Sequence, residues 1–336
     1  MLRPKPFDHK TCFTLKEALH LLDDSAGGIK ILAGGTDLLP NLKHRLYPET
    51  GAVLSLRNLP ELRGVETQQN ELIIGAGERL AELSSHPALV AAFPALAATF
   101  GTIASPQIRN MATLGGNLCL DTRCRYINQT DFWRHALGGC LKSHGDQCHV
   151  VPGGKNCVAA FSGDAAIALI ALEAEVELLS VQGQRRIPLV QLYRSNGAAH
   201  LTLNPNELLT RIFIPLKSGR KLAFRKWSVR RSIDFPLVNL AIRMDSDADG
   251  NVRKLVAVVG VLAAKPKVFP RLADLLESRT LDARGIDAIA DFLFRKCAPL
   301  PNVPYDPGYR KEMLRVQARR ALHALLQEDL LSVRQD

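Results

Sequence analysis

Residues 107–117 read Gln107-Ile108-Arg109-Asn110-Met111-Ala112-Thr113-Leu114-Gly115-Gly116-Asn117 and end in a double-glycine turn. Because glycine has no Cβ, such a turn lets backbone N–H groups approach a pyrophosphate closely and tolerates positive φ. An earlier apolar segment runs into a similar turn, in Lys30-Ile31-Leu32-Ala33-Gly34-Gly35-Thr36-Asp37-Leu38. Neither turn has the Gly-x-Gly-x-x-Gly spacing of a Rossmann site. One such turn is usually only a tight turn, but two that each carry a hydroxyl and a polar neighbour favour a phosphate-binding site.

Periodic segments on both sides of these turns predict mixed α and β structure. Thr14 and Glu17 form a capping-box signature for a helix over residues 11–23. A helical pattern over residues 81–101 ends at Ser105-Pro106, because proline lacks the backbone donor. A further helix is predicted over 164–172, and strands over 30–33, 52–55, 71–76, 175–181, 222–228, 237–244 and 255–263. Two or three helices after the last strands indicate an α+β domain at the end of the chain.

Length and composition limit the class of protein. The 336 residues exceed what one core usually supports, so we expect domains over 1–58, 59–215 and 216–330. The net charge of +10 is scattered without aromatic interleaving, which argues against nucleic-acid binding and suits an acidic protein partner. The N-terminus has no signal-peptide pattern, so a cytoplasmic protein is expected. The longest uncharged stretch, 87–106, contains three prolines and predicts a buried helix rather than a membrane span.

Five of the seven cysteines fall between residues 119 and 157. Residues 119–160 show little periodicity and are too long for an ordinary loop, so we expect a functional insert held together by something other than a core. Cys124, Cys140, Cys148 and Cys157 can supply four thiolates to a zinc ion or to a four-iron cluster. The spacing of these cysteines matches neither the usual zinc-ribbon pattern nor the usual ferredoxin pattern. It leaves three alternatives open: a zinc site, an iron–sulfur cluster, and cysteines that are simply buried apolar residues. Cys119 is expected to pack behind the glycine turn.

Four segments resemble the FAD-binding medium subunits of the xanthine dehydrogenase family of molybdenum hydroxylases. They are residues 30–38, residues 107–117, Ser162-Gly163-Asp164, and the run Lys226-Trp227-Ser228-Val229-Arg230-Arg231-Ser232-Ile233-Asp234-Phe235-Pro236. They stand in the family's order and span nearly the whole chain. The resemblance implies an α+β chain: a two-part FAD-binding fold of the vanillyl-alcohol oxidase (PCMH) type, then a C-terminal domain like that of the CO dehydrogenase flavoprotein.

The same resemblance implies the flavin site. The pyrophosphate of FAD would be held by residues 31–38 and 112–117, with Asp164 near the ribityl or phosphate part. Lys226, Ile103 and Leu209 would flank the isoalloxazine. The full set of implied FAD residues is Ile31, Leu32, Ala33, Gly34, Gly35, Thr36, Asp37, Leu38, Ile103, Ala112, Thr113, Gly116, Asn117, Asp164, Leu209 and Lys226. No residue of the chain resembles a nucleophile or general base for substrate.

Within that family, the insert is similar to that of 4-hydroxybenzoyl-CoA reductase β subunits, through Leu118–Cys124, Asn128-Gln129, Trp133-Arg134, Cys140–Lys142, Gly145–Val150 and Cys157. Those subunits carry a [4Fe–4S] cluster there. The resemblance implies Cys124, Cys140, Cys148 and Cys157 as its ligands and leaves Cys119 out.

The resemblance also implies an assembly and a reaction. The partners would be a molybdopterin-binding large subunit, a small subunit with two [2Fe–2S] clusters and a ferredoxin-like donor, in an (αβγ)2 heterohexamer. The reaction would convert 4-hydroxybenzoyl-CoA to benzoyl-CoA. The alternatives are a related complex acting on another aromatic, N-heterocyclic or steroid-like substrate, a stand-alone flavin oxidase, and a zinc-binding interaction protein.

Overall fold

The structure is a computed structural model and describes residues 2–25 and 27–326. Within these ranges no helix is both long and apolar enough to cross a membrane. The described chain forms three sheets, which follow one another in sequence. In the second sheet, two strands precede the insert and three follow the helix after it.

The first sheet has three parallel strands in the order β1-β3-β2. Its unit contains β1 (Asp8–Thr11), α1 (Leu15–Asp24), β2 (Ile29–Leu32), α2 (Leu38–Lys43) and β3 (Ala52–Ser55). The predicted cap of α1 is present, since the Thr14 hydroxyl accepts from the Glu17 amide at 3.2 Å. The Glu17 carboxylate accepts from the amide of Phe13 rather than from that of Thr14. Because β2 and β3 are parallel, the glycine turn at 34–35 leaves from the carboxyl edge of this sheet.

The second sheet has five antiparallel strands in the order β4-β5-β8-β6-β7. Its elements are β4 (Val65–Gln68), β5 (Glu71–Gly75), α3 (Leu80–Leu83), α4 (Pro87–Ala92), α5 (Pro94–Gly101), α6 (Pro106–Arg109), α7 (Leu114–Leu118), α8 (Asp131–Ala136), α9 (Asp164–Ala171), β6 (Glu175–Ser180), β7 (Gly183–Pro188) and β8 (Leu208–Pro215). The continuous helix predicted over 81–101 is wrong, because Pro87 and Pro94 each open a new short helix. Proline is favoured at a first helical position, where its missing donor costs nothing.

The third sheet is antiparallel, in the order β12-β11-β10-β9, and two helices cover it. The elements are β9 (Arg220–Trp227), β10 (Val238–Ser246), β11 (Val252–Gly260), β12 (Lys267–Phe269), α10 (Ala283–Lys296) and α11 (Pro307–Leu326). The predicted strands and the α+β order are confirmed. Residues 327–330, the predicted end of this domain, lie outside the described residues.

Helix α9 joins the second and third sheets. All eight of its residues are buried, and it packs against β10, β11 and α5. Just beyond it, the Glu173 carboxylate lies 2.5 Å from Lys254 Nζ and 2.9 Å from both Lys217 and Arg220, with Arg243 at 3.2 Å. Burial opposes ionisation, but these cations outweigh it and hold the pKa of Glu173 well below its ordinary value. The network therefore fastens the end of α9 to the third sheet.

The insert over residues 119–160 has a small apolar core of its own. Cys124, Ile127, Cys157 and Ala159 are buried together, and Cys140 is among the half-buried side chains packed on them. This corrects the prediction that the insert lacks a core. The cysteines themselves form part of it, as small apolar side chains do.

Candidate functional site

A cavity of about 680 Å³ lies where the carboxyl edge of the first sheet, the glycine turn at 115–116 and the end of β9 converge. Its size is typical of a site for a small organic ligand or cofactor. Fifteen of the sixteen residues predicted for the flavin site line it: Ile31, Ala33, Gly34, Gly35, Thr36, Asp37, Leu38, Ile103, Ala112, Thr113, Gly116, Asn117, Asp164, Leu209 and Lys226.

Leu32 is the predicted residue that the structure leaves out of this lining. It ends β2, and its Cδ1 packs beside Gly35. A prediction over a continuous run of residues could not exclude one position of a strand.

The first glycine turn offers hydrogen-bond donors. The amides of Gly34, Gly35 and Thr36 have no hydrogen-bond partner among the described residues. Gly35 has φ +73°, and a Cβ on Gly34 would lie 2.0 Å from the carbonyl oxygen of Met111. Only glycine therefore fits at Gly34, whose backbone packs directly on the segment before the second turn. Successive unpaired amides in a turn form a concave site for an anion.

The second glycine turn is built differently. Its amides at Leu114, Gly115 and Gly116 already donate to the Glu78 carbonyl, the Ala76 carbonyl and the Thr113 hydroxyl, at 2.8, 2.8 and 3.1 Å. This turn therefore allows a ligand to approach the backbone closely but offers no free amide donors at these three positions. The prediction that both turns present amides to a pyrophosphate differs from this arrangement. A Cβ on Gly116 would meet Thr113 Oγ1 at 3.0 Å and otherwise only Ala33 Cβ at 3.9 Å.

A buried ion pair lies on the cavity wall. Lys226 Nζ donates to Asp164 Oδ2 at 2.8 Å, and Asn239 Nδ2 donates to Asp164 Oδ1 at 2.7 Å. The neighbouring Ser162 hydroxyl is buried, lines the cavity and has no partner among the described residues. An unpaired buried hydroxyl is costly, so this atom points to a polar ligand group in the cavity.

A second polar network lies between this cavity and the insert. Lys142 Nζ donates to Asp121 Oδ1 at 2.6 Å, and the Tyr47 hydroxyl donates to Asp121 Oδ2 at 2.5 Å. Burial favours the neutral form of Asp121, but Lys142 outweighs it and lowers the pKa of Asp121. Burial lowers the pKa of His200 to about 4, and its Nε2 is 3.0 Å from the Leu120 carbonyl oxygen. His200 is therefore neutral at pH 7 and donates through Nε2–H.

Basic side chains that were not among the predicted flavin residues also line the cavity: Lys30, Arg57, Arg63, Arg79 and Arg123. They complement the negative charge of a pyrophosphate. Arg123 pairs with Asp37, and its guanidinium lies 4.1 Å from the centre of the Phe235 ring. Burial raises the pKa of Asp37, and Arg123 opposes that rise. Arg123 thus ties the start of the insert to the first glycine turn. Its place beside Cys124 is the only local signal that could have identified it.

Cys124, Cys140, Cys148 and Cys157 line one small apolar cavity in the insert, together with Tyr126, His149 and Lys142. Cys119 lies apart and lines the larger cavity instead. Among the described residues no three Cys, His, Asp or Glu side chains are grouped as a single metal ion requires. The four thiols around one small apolar cavity are the donor type that iron–sulfur clusters take from proteins.

A backbone donor points at one of these sulfurs, since the Ala159 amide donates to Cys157 Sγ at 3.4 Å. Burial raises the pKa of Cys124 to about 11, and the nearby amides of Tyr126 and Ile127 partly offset the rise. Amide bonds to sulfur stabilise a thiolate and tune iron–sulfur clusters.

Glycines form the loop that carries Cys140. Gly139 has φ +74°, and a Cβ on Gly145 would lie 2.5 Å from the Cys140 amide nitrogen. The loop closes through the Gly145 amide, which donates to the Cys140 carbonyl at 3.1 Å. His149 does not face the sulfurs through Nε2, which lies 2.6 Å from the Gly139 carbonyl oxygen.

Comparison with known proteins identifies the family. Residues 6–217 match the family described as the FAD binding domain in molybdopterin dehydrogenase, and residues 223–325 match the CO dehydrogenase flavoprotein C-terminal domain. The chain is an FAD-binding medium subunit of the molybdenum hydroxylase family. The match confirms the two-part FAD-binding fold with its C-terminal α+β domain, and it identifies this subunit as a flavoprotein of an oxidoreductase family.

Individual relatives agree with this assignment. The medium subunit is 33% identical to the aldehyde oxidoreductase FAD-binding subunit PaoB of Escherichia coli, over 88% of this chain and 92% of that protein. It is 27% identical to subunit alpha of the 6-hydroxypseudooxynicotine dehydrogenase complex of Paenarthrobacter nicotinovorans, over 96% and 95%. A chain of the carbon monoxide dehydrogenase of Hydrogenophaga pseudoflava superimposes with a TM-score of 0.78 at 24% identity, over 96% of this chain and 98% of that chain. That last likeness shows the shared fold.

Proposed function

We propose that this medium subunit carries FAD in the larger cavity and a [4Fe–4S] cluster on Cys124, Cys140, Cys148 and Cys157, and transfers electrons within a molybdenum hydroxylase complex. The observation that supports it is the convergence of these four cysteines, spread over 34 positions, on one apolar cavity. Flavin exchanges electrons singly or in pairs and a cluster exchanges one at a time, so the two together couple both kinds of chemistry.

For the flavin, the chain supplies binding and orientation. The free amides at 34–36 and the basic side chains around them would hold the pyrophosphate, and Gly116 would let it approach closely. Ile103 and Leu209 would flank the isoalloxazine with Lys226. Asp164 lines the cavity, but both of its carboxylate oxygens already accept hydrogen bonds. We therefore assign it two roles: it orients Lys226, and it contacts the ribityl part of FAD.

For the cluster, the insert supplies four thiols, an amide donor to the Cys157 sulfur and an apolar shell. The names of the relatives above indicate no four-iron cluster, so this assignment is supported by the cysteines of this chain and by the resemblance of the insert. The same resemblance supports 4-hydroxybenzoyl-CoA reductase as the complex, with domains over 1–58, 59–215 and 216–330 in this subunit. The partners would be a molybdopterin-binding large subunit, a small [2Fe–2S] subunit and a ferredoxin-like donor, in an (αβγ)2 assembly.

Anaerobic purification followed by iron, sulfide and flavin analysis tests the cofactor content. We expect one FAD and four irons per chain. The Cys140→Ser variant should lose iron, whereas Cys119→Ser, in the same insert but outside the cysteine cavity, should keep it. Full iron content in the Cys140→Ser protein would refute the ligand set, and one zinc per chain with no iron would favour the zinc-binding alternative.

The reaction is tested on the assembled complex. Reduced ferredoxin and 4-hydroxybenzoyl-CoA should yield benzoyl-CoA, measured by chromatography of the thioesters. Turnover of a different aromatic, N-heterocyclic or steroid-like substrate without any benzoyl-CoA would exclude this reductase and leave the electron-transfer role intact.

A further inference from the structure

Lys142 and Asp121 form a buried ion pair in the wall between the two cavities. Lys142 Nζ donates to Asp121 Oδ1 at 2.6 Å, and the two side chains are 8% and 14% exposed. Lys142 lines the cavity of the four cysteines, whereas Asp121 lines the larger cavity. The pair therefore has a direction, with its cation on the cysteine side and its carboxylate on the side of the larger cavity.

The two charges of this pair act on different groups. Burial raises the pKa of Cys157, and the ammonium of Lys142 opposes that rise. On the other side of the wall, burial raises the pKa of Tyr47 well above its ordinary value, and the carboxylate of Asp121 adds to the rise. Tyr47 lines the larger cavity. The cation thus favours negative charge at the cysteines, and the carboxylate disfavours it in the larger cavity.

Neutral acceptors hold the Lys142 ammonium in place. Besides Asp121, its Nζ donates to the Thr122 hydroxyl at 2.5 Å and to the Gly197 carbonyl at 3.0 Å. The Gly197 amide in turn donates to the Cys157 carbonyl at 2.8 Å. Because an ammonium has three protons and each has an acceptor here, the fold fixes where the positive charge lies.

Stability alone does not account for a charged pair at this position. Apolar side chains of similar volume are often as stable as a buried ion pair or more stable, because burial removes both charges from water. A fixed charge in apolar surroundings acts strongly on its neighbours, since little water screens it. The potential of an iron–sulfur cluster depends on such local charge. The pair is therefore suited to set a difference in potential between two redox groups.

We propose that the Lys142–Asp121 pair sets how electrons divide between the cysteine-bound cluster and the flavin. The inference rests on the proposed function, because it requires both cofactors. In each transfer one electron leaves one cofactor and enters the other, and no bond of the pair forms or breaks. Lys142 stabilises the electron on the cysteine side, and Asp121 opposes its arrival in the larger cavity. Both charges therefore favour the cluster as the place where the electron resides.

Redox titration of the assembled complex at one fixed pH measures this division. Electron paramagnetic resonance follows the cluster, and absorption follows the flavin. Lys142→Met/Asp121→Asn removes both charges of the pair together. It should shift the division about tenfold toward the flavin, which corresponds to about 59 mV for one electron. Lys142→Arg keeps the positive charge and should keep the division, so a shift as large as that of the double variant would overturn the role of the charge.

Lys155→Met is the matched control, because Lys155 is in the same insert and close to Cys157 in sequence but is exposed. Water and salt screen an exposed charge, so this variant should leave the division unchanged. No shift in the double variant, or an equal shift in Lys155→Met, would overturn the proposal.

The single variant Asp121→Asn decides the matter where the double variant loses iron or FAD. Asparagine keeps an acceptor for Lys142 but has no charge, so the flavin potential should rise. An unchanged flavin potential in the loaded Asp121→Asn complex would overturn the proposal. Loss of iron or FAD from both variants would also overturn it, since the pair would then be structural. Absence of a cluster signal from the unaltered complex would instead refute the proposed function.

Discussion

Replacing Lys226 by methionine removes one partner of the buried ion pair on the wall of the larger cavity. Lys226 Nζ lies 2.8 Å from Asp164, and the two side chains are 7% and 3% exposed. Methionine keeps the length and apolar volume of the lysine stem but not its charge. The Asp164 carboxylate would then retain only the hydrogen bond from Asn239, which is 2.7 Å long.

Removing one partner of a buried pair costs roughly 3–5 kcal/mol, because the other charge stays buried and uncompensated. Asn239 remains, and water enters the cavity when flavin is absent, so we expect the lower limit, about 3 kcal/mol, in the flavin-free protein. The double variant Lys226→Met/Asp164→Asn buries no charge. Its cost should return to about 1 kcal/mol, the value of the lost hydrogen bond.

Urea unfolding of the flavin-free chain, followed by the fluorescence of Trp227 beside the altered residue, measures both values. Lys16→Met, an exposed lysine on α1, is the control and should change the free energy of unfolding little. FAD content, measured in parallel, should fall in the Lys226→Met protein. A cost below about 1 kcal/mol in the single variant, or no recovery in the double variant, would refute the reasoning from the buried pair.

Three further predictions concern the turns and the titrating groups. Gly116→Val should release FAD while the chain stays folded, because its Cβ meets only Thr113 Oγ1 closely; full FAD content would contradict this, and Gly51→Ala, which meets nothing within 4 Å, is the control. The pKa of His200 is about 4 in the folded chain and 6.5 ordinarily, so the stability of the fold should fall as the pH drops from about 6.5 to about 4. In His200→Gln the urea midpoint should depend less on pH across that range. Because the pKa of Glu173 is depressed, the stability that this carboxylate contributes is present above the ordinary pKa of 4.5 and is lost as the pH falls below it. Glu173→Gln should lower the urea midpoint at pH 7 and flatten the decline of that midpoint below pH 4.5. Glu66→Gln, which changes an exposed side chain, is the control and should do neither.

Local chemistry explains which parts of the fold were predictable. The cap at Thr14 and the strand at Ile29–Leu32 depend on neighbouring residues, so pattern alone located them. The prediction of one helix over 81–101 failed because Pro87 and Pro94 each begin a new helix. Strand β8 was missed because it pairs with β5 and β6, which are distant in the chain, and such pairing leaves little local signal.

The sequence by itself determined the residue types that chemistry requires: two glycine turns and four thiols in one insert. These follow from backbone freedom and side-chain reactivity, which belong to each residue alone. Only the tertiary structure decided which turn keeps free amides, that Leu32 stays out of the cavity lining, and that Lys226 meets Asp164, 62 positions earlier. It also joined Asp121 to Lys142 and Tyr47. Those outcomes depend on how distant segments pack, because burial and pairing are set by neighbours in space rather than along the chain.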